Sequence, residues 1–162
     1  MRIAGIVRDS IVDGVGIRDV IFFQGCLHKC VGCQNPTTWN LEGGIGLSPG
    51  EVAFQLANSK NEVTISGGEP LLQLFDLKEM LSLLNKRAWL YTGYQYEDIS
   101  YETWSQLYAL GVEVVVDGKF EKELADKSLK FKGSKNQRII DLKQTLKFDK
   151  VVLWEDSNDN RN

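Results

Sequence analysis

Residues 20–26, VIFFQGC, decide the fold prediction, because a buried apolar strand at 20–24 ends there in Gly25 and Cys26. Three further short strands are predicted along the chain, at 62–66, 88–92 and 112–116. Helical patterns of about ten residues separate these strands. Alternation of strands and helices predicts βαβ units and therefore a parallel sheet covered by helices.

Weaker strand patterns flank the four clear strands, at 3–7, 138–141 and 151–154. A closed (β/α) barrel requires eight strands, whereas this chain has room for about six. We therefore expect an α/β fold: an open, partial (β/α) barrel of about six strands, with a mostly parallel sheet and helices on its outer face. Residues 1–154 are expected to form a single domain, followed by a polar C-terminal tail at 155–162.

Local signals predict where three helices begin or end. Residues 48–51, SPGE, combine a capping serine, a proline at the first helical position and a glutamate three residues after the cap. A helix should therefore run from there to about Ala57. Apolar residues at helical spacing predict a second helix around 77–84, and a third, around Trp104, should end at Gly111.

Composition narrows the classes of function. The chain has 162 residues, of which 43% are hydrophobic and 25% charged, as is typical of a globular protein. The formal net charge of −3 argues against nucleic acid or an anionic membrane as an obligatory partner. No apolar run approaches the ~18 residues of a membrane span, and residues 1–20 lack a signal-peptide core.

Positive charge is concentrated in residues 118–150. This tract holds ten of the 19 Lys and Arg residues and five of the 22 Asp and Glu residues. Residues 1–117 hold eight basic and 14 acidic residues. A charge run of this kind is usually a solvated face, and the alternative is a docking surface for a partner protein.

All three cysteines lie within eight residues, in the pattern C-x3-C-x2-C formed by Cys26, Cys30 and Cys33. An odd number of closely spaced cysteines is not a disulfide framework, so a reducing cytoplasm is the expected location. Three thiolates on one loop can face one metal centre. One interpretation is an iron–sulfur cluster with one iron left open. The others are a zinc loop, with the single histidine His28 as fourth ligand, and packed thiols without a metal.

Four turns of unusual composition follow the four clear strands: Gly25-Cys26, SGGEP at 66–70, TGY at 92–94 and DGKF at 117–120. In parallel α/β sheets, functional sites form outside the carboxyl ends of the strands. We therefore expect the four turns to meet at one edge of the sheet. Taken alone, Gly67-Gly68 is equally typical of a tight turn without a ligand.

The cysteine motif, followed by Gly-Gly-Glu-Pro at 67–70, resembles the radical S-adenosylmethionine (SAM) enzymes. Residues 13–18 (DGVGIR), 25–35 (GCLHKCVGCQN) and 38–39 (TW) resemble the glycyl-radical activating branch of that superfamily. Three later motifs resemble the activating proteins of anaerobic (class III) ribonucleoside-triphosphate reductase: YTGY at 91–94, DGKF at 117–120 and GSKNQR at 133–138. The resemblance covers residues 3–141.

The resemblance implies two cofactors, a [4Fe–4S] cluster and SAM, and it assigns residues to each. The cluster would be held by Cys26, Cys30 and Cys33. SAM would be contacted by Gly32, Cys33, Gln34, Gly67, Gly68, Glu69 and Thr92, with 67–69 at its methionine end. Gly32 stands where many family members have an aromatic residue. No catalytic residue beyond the cluster and the cofactor is implied, which agrees with the single histidine.

The implied reaction is reductive cleavage of SAM, after which a hydrogen atom is taken from a glycine Cα of the large subunit of the reductase. The resemblance also implies an electron donor such as flavodoxin or ferredoxin, and neither a nucleic acid nor a membrane partner. Two alternatives remain. One is another radical SAM enzyme, of the pyruvate formate-lyase activator type, and the other is a zinc-binding interaction module.

Overall fold

The computed structural model describes residues 1–156, which form a mixed β-sheet of seven strands together with four α-helices. The strands are β1 (Arg2–Ser10), β2 (Arg18–Phe23), β3 (Ile45–Gly46), β4 (Glu62–Gly67), β5 (Ala88–Tyr91), β6 (Val112–Asp117) and β7 (Arg138–Asp141). The helices are α1 (Pro49–Ala57), α2 (Leu74–Leu84), α3 (Tyr101–Ala109) and α4 (Leu142–Phe148). The tail expected at 155–162 lies mostly outside the described residues.

The strand order across the sheet is β3-β1-β2-β4-β5-β6-β7, so β3 and β7 form the two edges. The four inner strands, β2, β4, β5 and β6, run parallel to one another, whereas β1 pairs antiparallel with β2 and β3, and β7 pairs antiparallel with β6. The expectation of a mostly parallel sheet is therefore wrong. A parallel pair needs a long crossover, and the loop between β1 and β2 spans only residues 11–17.

The four clear strands of the sequence are confirmed as the inner strands, and the patterns at 3–7 and 138–141 are confirmed as parts of β1 and β7. The strand predicted at 151–154 is wrong, because this segment forms only an isolated bridge between Leu153 and Ile140. The sequence analysis also missed β3, whose two residues are too few to form an alternating pattern. The sheet accordingly has seven strands rather than about six.

The helices cover one face of the sheet. The inner strands follow one another in chain order, so right-handed crossovers through α1, α2 and α3 place these helices on the same face. The core between them contains fully buried apolar side chains from both layers, among them Phe23, Ile65, Leu90, Val115, Leu56, Leu77 and Trp104. This apolar burial is the main source of the stability of the fold.

The three predicted helices are confirmed, and α4 was not predicted. Ser48 and Glu51 form the expected capping box, in which Glu51 N donates to Ser48 Oγ over 3.2 Å and Ser48 N donates to Glu51 Oε2 over 2.8 Å. Gly111 follows α3 with a φ of +105°, and a Cβ at this position would collide with the carbonyl oxygen of Lys86. Within residues 1–156, no helix has both the length and the apolar composition that crossing a bilayer requires.

The opposite face of the sheet carries a smaller apolar cluster. Trp89, Val114 and Val116 are buried there, and the rings of Phe131 and Trp154 pack edge-on against Trp89 at centroid distances of 5.4 and 5.2 Å. Phe131 belongs to the connection between β6 and β7, which we call the 118–137 loop. This loop and the residues after β2 line a cavity.

Candidate active site

A cavity of about 410 Å³ lies at the carboxyl ends of the inner strands. Its walls include residues from all four predicted turns: Cys26 after β2, Gly67 and Gly68 at the end of β4, Thr92 and Gly93 after β5, and Gly118, Lys119 and Phe120 after β6. The structure thus brings the four turns together at one edge of the sheet. A cavity of this size is in the range that protein pockets use for small molecules and cofactors.

The three cysteines line this cavity and lie on residues 25–35, which follow β2 and which we call the cysteine segment. Backbone hydrogen bonds hold the start of the segment, from Gly25 N to Thr38 O (2.7 Å) and from Cys26 N to Trp39 O (3.2 Å). Cys33 N closes a turn by donating to Cys30 O over 3.1 Å. All three thiols are unpaired and line the cavity. Burial raises the pKa of the Cys26 thiol, although backbone amides of the same loop act in the opposite direction.

The donor chemistry of these thiols fits an iron–sulfur cluster. Among residues 1–156, no three His, Cys, Asp or Glu side chains converge on one metal position. A tetrahedral zinc needs all its ligands within about 2.3 Å of one point, whereas in an iron–sulfur cluster each thiolate binds a different iron. Three thiols that line one cavity are therefore suitable donors for a cluster that keeps one iron free.

Gly67 and Gly68 allow β4 to end against the cysteine segment. Gly67 has a φ of +108°, and a Cβ there would collide with the backbone of Phe23. A Cβ at Gly68 would collide with the carbonyl oxygen of Gly25. Two backbone hydrogen bonds of 2.8 Å fasten the contact, from Gly68 N to Phe23 O and from Glu69 N to Gly25 O. Both glycines therefore line the cavity beside the thiols.

The carboxylate of Glu69 lies behind the cavity wall rather than in it. Glu69 is completely buried. Its two carboxylate oxygens accept hydrogen bonds from Leu71 N (3.0 Å), Gly93 N (2.8 Å) and Thr92 Oγ1 (2.9 and 3.0 Å). The Nε2 atom of His28 lies 3.1 Å from Glu69 Oε2. The sequence analysis assigns Glu69 to the methionine end of SAM, and in the structure its carboxylate accepts hydrogen bonds from groups of the chain itself.

The other residues assigned to SAM are divided between the cavity and its support. Cys33, Gln34 and Thr92 line the cavity. Gly32 does not line it and has a φ of +76°; a Cβ there would lie 3.3 Å from side-chain atoms of Lys122 and 3.4 Å from Phe120. Gly32 therefore allows the cysteine segment to pack against the 118–137 loop.

The 118–137 loop forms one wall of the cavity, of which the sequence analysis predicted only the turn at 117–120. Phe120, Phe131, Lys132 and other residues of this loop line the cavity. Gln137 holds the two ends of the loop together, because its Oε1 accepts from Gly133 N (2.9 Å) and Ser134 N (3.1 Å) and its Nε2 donates to Gly118 O (3.0 Å). The motifs at 117–120 and 133–138 therefore contact one another, although they are separated in the sequence.

Two further contacts fasten this wall to the sheet. Arg138 forms a two-pronged ion pair with the buried Asp117, with Nε to Oδ1 at 3.0 Å and Nη2 to Oδ2 at 2.5 Å. The hydroxyl of Tyr91 donates to the carbonyl oxygen of Phe131 over 2.8 Å. Burial, and to a smaller extent Asp13, raises the pKa of Tyr91, so this hydroxyl stays protonated and able to donate.

Comparison with known proteins defines first the class of protein. The family model described as "4Fe-4S single cluster domain" matches residues 12–140, which include the cysteine segment and the inner strands of the sheet. The chain therefore belongs to the proteins built around one [4Fe–4S] cluster. This agrees with the donor set that lines the cavity.

Individual relatives then define the family within that class. The chain is 40% identical over 140 residues to the anaerobic ribonucleoside-triphosphate reductase-activating protein of Enterobacteria phage T4, an alignment that covers 79% of this chain and 86% of the relative. The proteins of the same name in Escherichia coli K12 and Vibrio cholerae are 32% and 33% identical, over 83% and 80% of this chain and 94% and 91% of the relatives. This chain belongs to the family of anaerobic ribonucleoside-triphosphate reductase-activating proteins.

Proposed function

We propose that this chain is a glycyl-radical activating enzyme. It is a radical SAM oxidoreductase that cleaves SAM reductively at a [4Fe–4S] cluster and generates the glycyl radical on anaerobic ribonucleoside-triphosphate reductase. The observation that carries the proposal is that three unpaired thiols line one cavity in a chain of this family.

In this proposal the thiolates of Cys26, Cys30 and Cys33 hold the cluster. The bound cluster would supply the one electron for reductive cleavage of SAM, and the overall reaction would give methionine, 5′-deoxyadenosine and a glycyl radical on the reductase. The chain itself supplies binding, orientation and exclusion of water. No general acid or base is required.

The residues that contact SAM divide into two groups in this proposal. Gly67 and Gly68 offer close approach to the backbone beside the thiols, while Cys33, Gln34 and Thr92 offer polar atoms on the same cavity. Gly32 and Glu69 act from outside the cavity, by shaping the segments that line it. The aromatic rings of Phe120 and Phe131 form the wall that excludes water.

We also propose that the sheet curves as an open, partial (β/α) barrel within one domain at 1–154. The edges β3 and β7 are not paired with one another, so the sheet is not closed. An open side is what a polypeptide substrate requires, since a loop of the reductase must reach the cavity. The proposed location is a reducing cytoplasm, and the electron donor is a small protein such as flavodoxin or ferredoxin. The proposal involves neither nucleic acid nor a membrane.

The basic tract at 118–150 remains a candidate docking surface for the reductase. Part of its charge is used within the chain: Lys135 lies 3.5 Å from Asp126, and Lys132 Nζ donates to Gln137 O over 2.8 Å. Lys119 and Lys132 line the cavity. A reversal of charge that tests docking should therefore avoid these lysines and use Lys143 and Lys147 on α4.

The zinc alternative is not favoured by the surroundings of His28. The Nε2 atom of this histidine is engaged by Glu69, and its ring contacts Tyr94 edge-on. The pyruvate formate-lyase activator alternative differs in the partner protein rather than in the cofactors. A direct comparison of partner proteins therefore separates it from the proposal.

The test begins with anaerobic purification and measurement of iron and sulfide, followed by incubation with reductant and SAM. The expected products are 5′-deoxyadenosine and methionine in equal amounts. Addition of the large reductase subunit should give a glycyl radical signal in electron paramagnetic resonance (EPR), and addition of pyruvate formate-lyase should give none. A colourless zinc protein that leaves SAM intact would overturn the proposal.

A further inference from the structure

The centre of the cysteine segment is tied to the sheet by a side-chain contact of His28 and not of a cysteine. His28 lies between Cys26 and Cys30, and its Nε2 is 3.1 Å from Oε2 of Glu69, a residue 41 positions further along the chain. Because carboxylate oxygens accept hydrogen bonds, the imidazole is the donor. The contact therefore joins the segment that carries the thiols to the carboxyl end of β4.

Glu69 is a fixed anchor for this contact. The residue is completely buried, and its carboxylate also accepts from Leu71 N, Thr92 Oγ1 and Gly93 N at 2.8–3.0 Å. A buried carboxylate is costly unless its oxygens are satisfied, and once they are satisfied the group is held in one position. The anchor thus connects the ends of β4 and β5 to the histidine.

Two neighbouring residues also fix the His28 ring, which lines the cavity. Tyr94 contacts it edge-on, with ring centroids 4.7 Å apart and planes at 73°. Gly93 provides the space for the ring, because a Cβ at this position would collide with the imidazole. Lys29, the next residue, has a φ of +48°, so the segment turns sharply directly after this ring. The conformation of the spacer between the first two thiols is therefore set at His28.

We propose that His28 and Glu69 form a positioning pair that fixes the cysteine segment in the conformation in which its thiols face the cavity beside Gly67 and Gly68. Glu69 does not line the cavity, whereas His28 lines it and uses its Nε2 for the contact with Glu69 rather than for a metal. The inference rests on the proposed function, and it replaces the contact between Glu69 and SAM that the resemblance implied.

The pair should already act before any metal is bound. In the metal-free protein, His28→Ala should raise the hydrogen exchange rates of the backbone amides of Cys26 and Cys33 about tenfold. These amides donate hydrogen bonds on either side of the histidine, and the segment between them is no longer tied to Glu69. The exchange rates of the amides in β4, β5 and β6 should not change. His28→Gln keeps a side-chain donor and should restore most of the protection. Exchange at Cys26 and Cys33 that is the same in wild type and His28→Ala would overturn the proposal.

In the reconstituted protein the iron content and the response to SAM should separate. His28→Ala should bind iron close to the wild-type level, whereas its affinity for SAM should fall about tenfold and the change that SAM causes in the EPR spectrum of the reduced cluster should weaken. Loss of iron in both His28→Ala and His28→Gln would make the histidine a ligand and overturn the proposal. A lower melting temperature with an unchanged response of the EPR spectrum to SAM would assign the histidine a purely structural role and would also overturn the proposal.

A double-variant comparison tests whether the two residues act through each other. Glu69→Gln should weaken SAM binding in the same direction as His28→Ala, and the variant with both changes should be no worse than the more severe single variant. Effects that multiply would show independent roles and contradict the pair. Val31→Ala, an exposed apolar residue of the same segment, is the matched control. Wild-type protein that fails to cleave SAM would refute the proposed function, whereas a normal wild type with unaffected variants refutes only the pair.

Discussion

The two faces of the sheet are held by different interactions. On the helix-covered face, Ile65, Leu90 and Val115 are completely buried among other apolar side chains. On the cavity face, which is the face opposite the helices, the hydroxyl of the buried Thr64 accepts a hydrogen bond from Arg18 Nε over 2.7 Å. The same hydroxyl donates to the carbonyl oxygen of Asp13 over 2.6 Å, so the loop between β1 and β2 is held by hydrogen bonds. Stability is thus concentrated on one face, and the polar groups that shape a binding site are concentrated on the other.

The largest expected effect is a loss of the chemistry of the cavity without a loss of the stability of the fold. Cys26→Ala, Cys30→Ala or Cys33→Ala should each abolish cluster assembly and SAM cleavage, because two thiolates cannot hold the cluster with one iron open. In the metal-free state each variant should keep the free energy of unfolding within about 1 kcal/mol of wild type. Iron analysis, a 5′-deoxyadenosine assay and urea denaturation measure these quantities. Near-complete iron content in any of the three would contradict the ligand assignment.

On the helix-covered face, substitutions are expected to change the stability of the fold rather than the chemistry of the cavity. Leu81→Ala should lower the free energy of unfolding by about 2–5 kcal/mol, because the side chain is only 1% exposed and its removal leaves a cavity in the core. Leu83→Ala on the same helix is the matched control, since this leucine is 58% exposed and the change should cost less than about 0.5 kcal/mol. Urea denaturation of the metal-free protein distinguishes the two. Equal losses would show that the core does not lie where the structure places it.

A smaller effect is expected where the 118–137 loop joins the sheet. Asp117→Asn leaves Arg138 without the charge of its buried partner and should cost about 2 kcal/mol of stability. Hydrogen exchange should increase within the loop more than in the inner strands, because the ion pair fastens the loop at its end. A variant with wild-type exchange in the loop would show that Gln137 alone holds the two ends together.

The smallest effect concerns the exposed partner of the same arginine. Hydrogen bonds from Arg138 lower the pKa of Glu97 in the folded protein. A carboxyl group with a lowered pKa contributes stability above its unfolded pKa, and this contribution is lost as the pH falls through the folded value. Glu97→Gln should therefore reduce stability slightly at neutral pH and not at acidic pH. A stability difference that is the same at both pH values would contradict the ion pair as its source.

The part of the fold that the sequence predicted correctly is the part that depends on local patterns. The apolar runs of the inner strands, the capping box at Ser48 and the spacing of the three cysteines are all short-range features. The directions of β1 and β7 are not, because they depend on which neighbour each strand finds. Asp141 caps helix α4, because it accepts a 2.9 Å hydrogen bond from Gln144 N. The same residue ends β7, so the sequence did not reveal the cap.

The candidate site divides in the same way. The three cysteines could be proposed as ligands because they are close together in the sequence. The role of Glu69 was not, since its hydrogen-bond donors come from His28, from Leu71 and from residues 92–93, which only the folded sheet brings together. The composition of the 67–70 turn indicated a carboxylate near a site but not the direction of its side chain.

The position of Trp39 has an optical consequence. This residue lines the cavity, and its carbonyl oxygen accepts the hydrogen bond from Cys26 N, so it lies beside the residues proposed to hold the cluster. Iron–sulfur clusters absorb broadly from the near ultraviolet into the visible. Tryptophan emission should therefore decrease as iron is incorporated, which makes loading visible without a label.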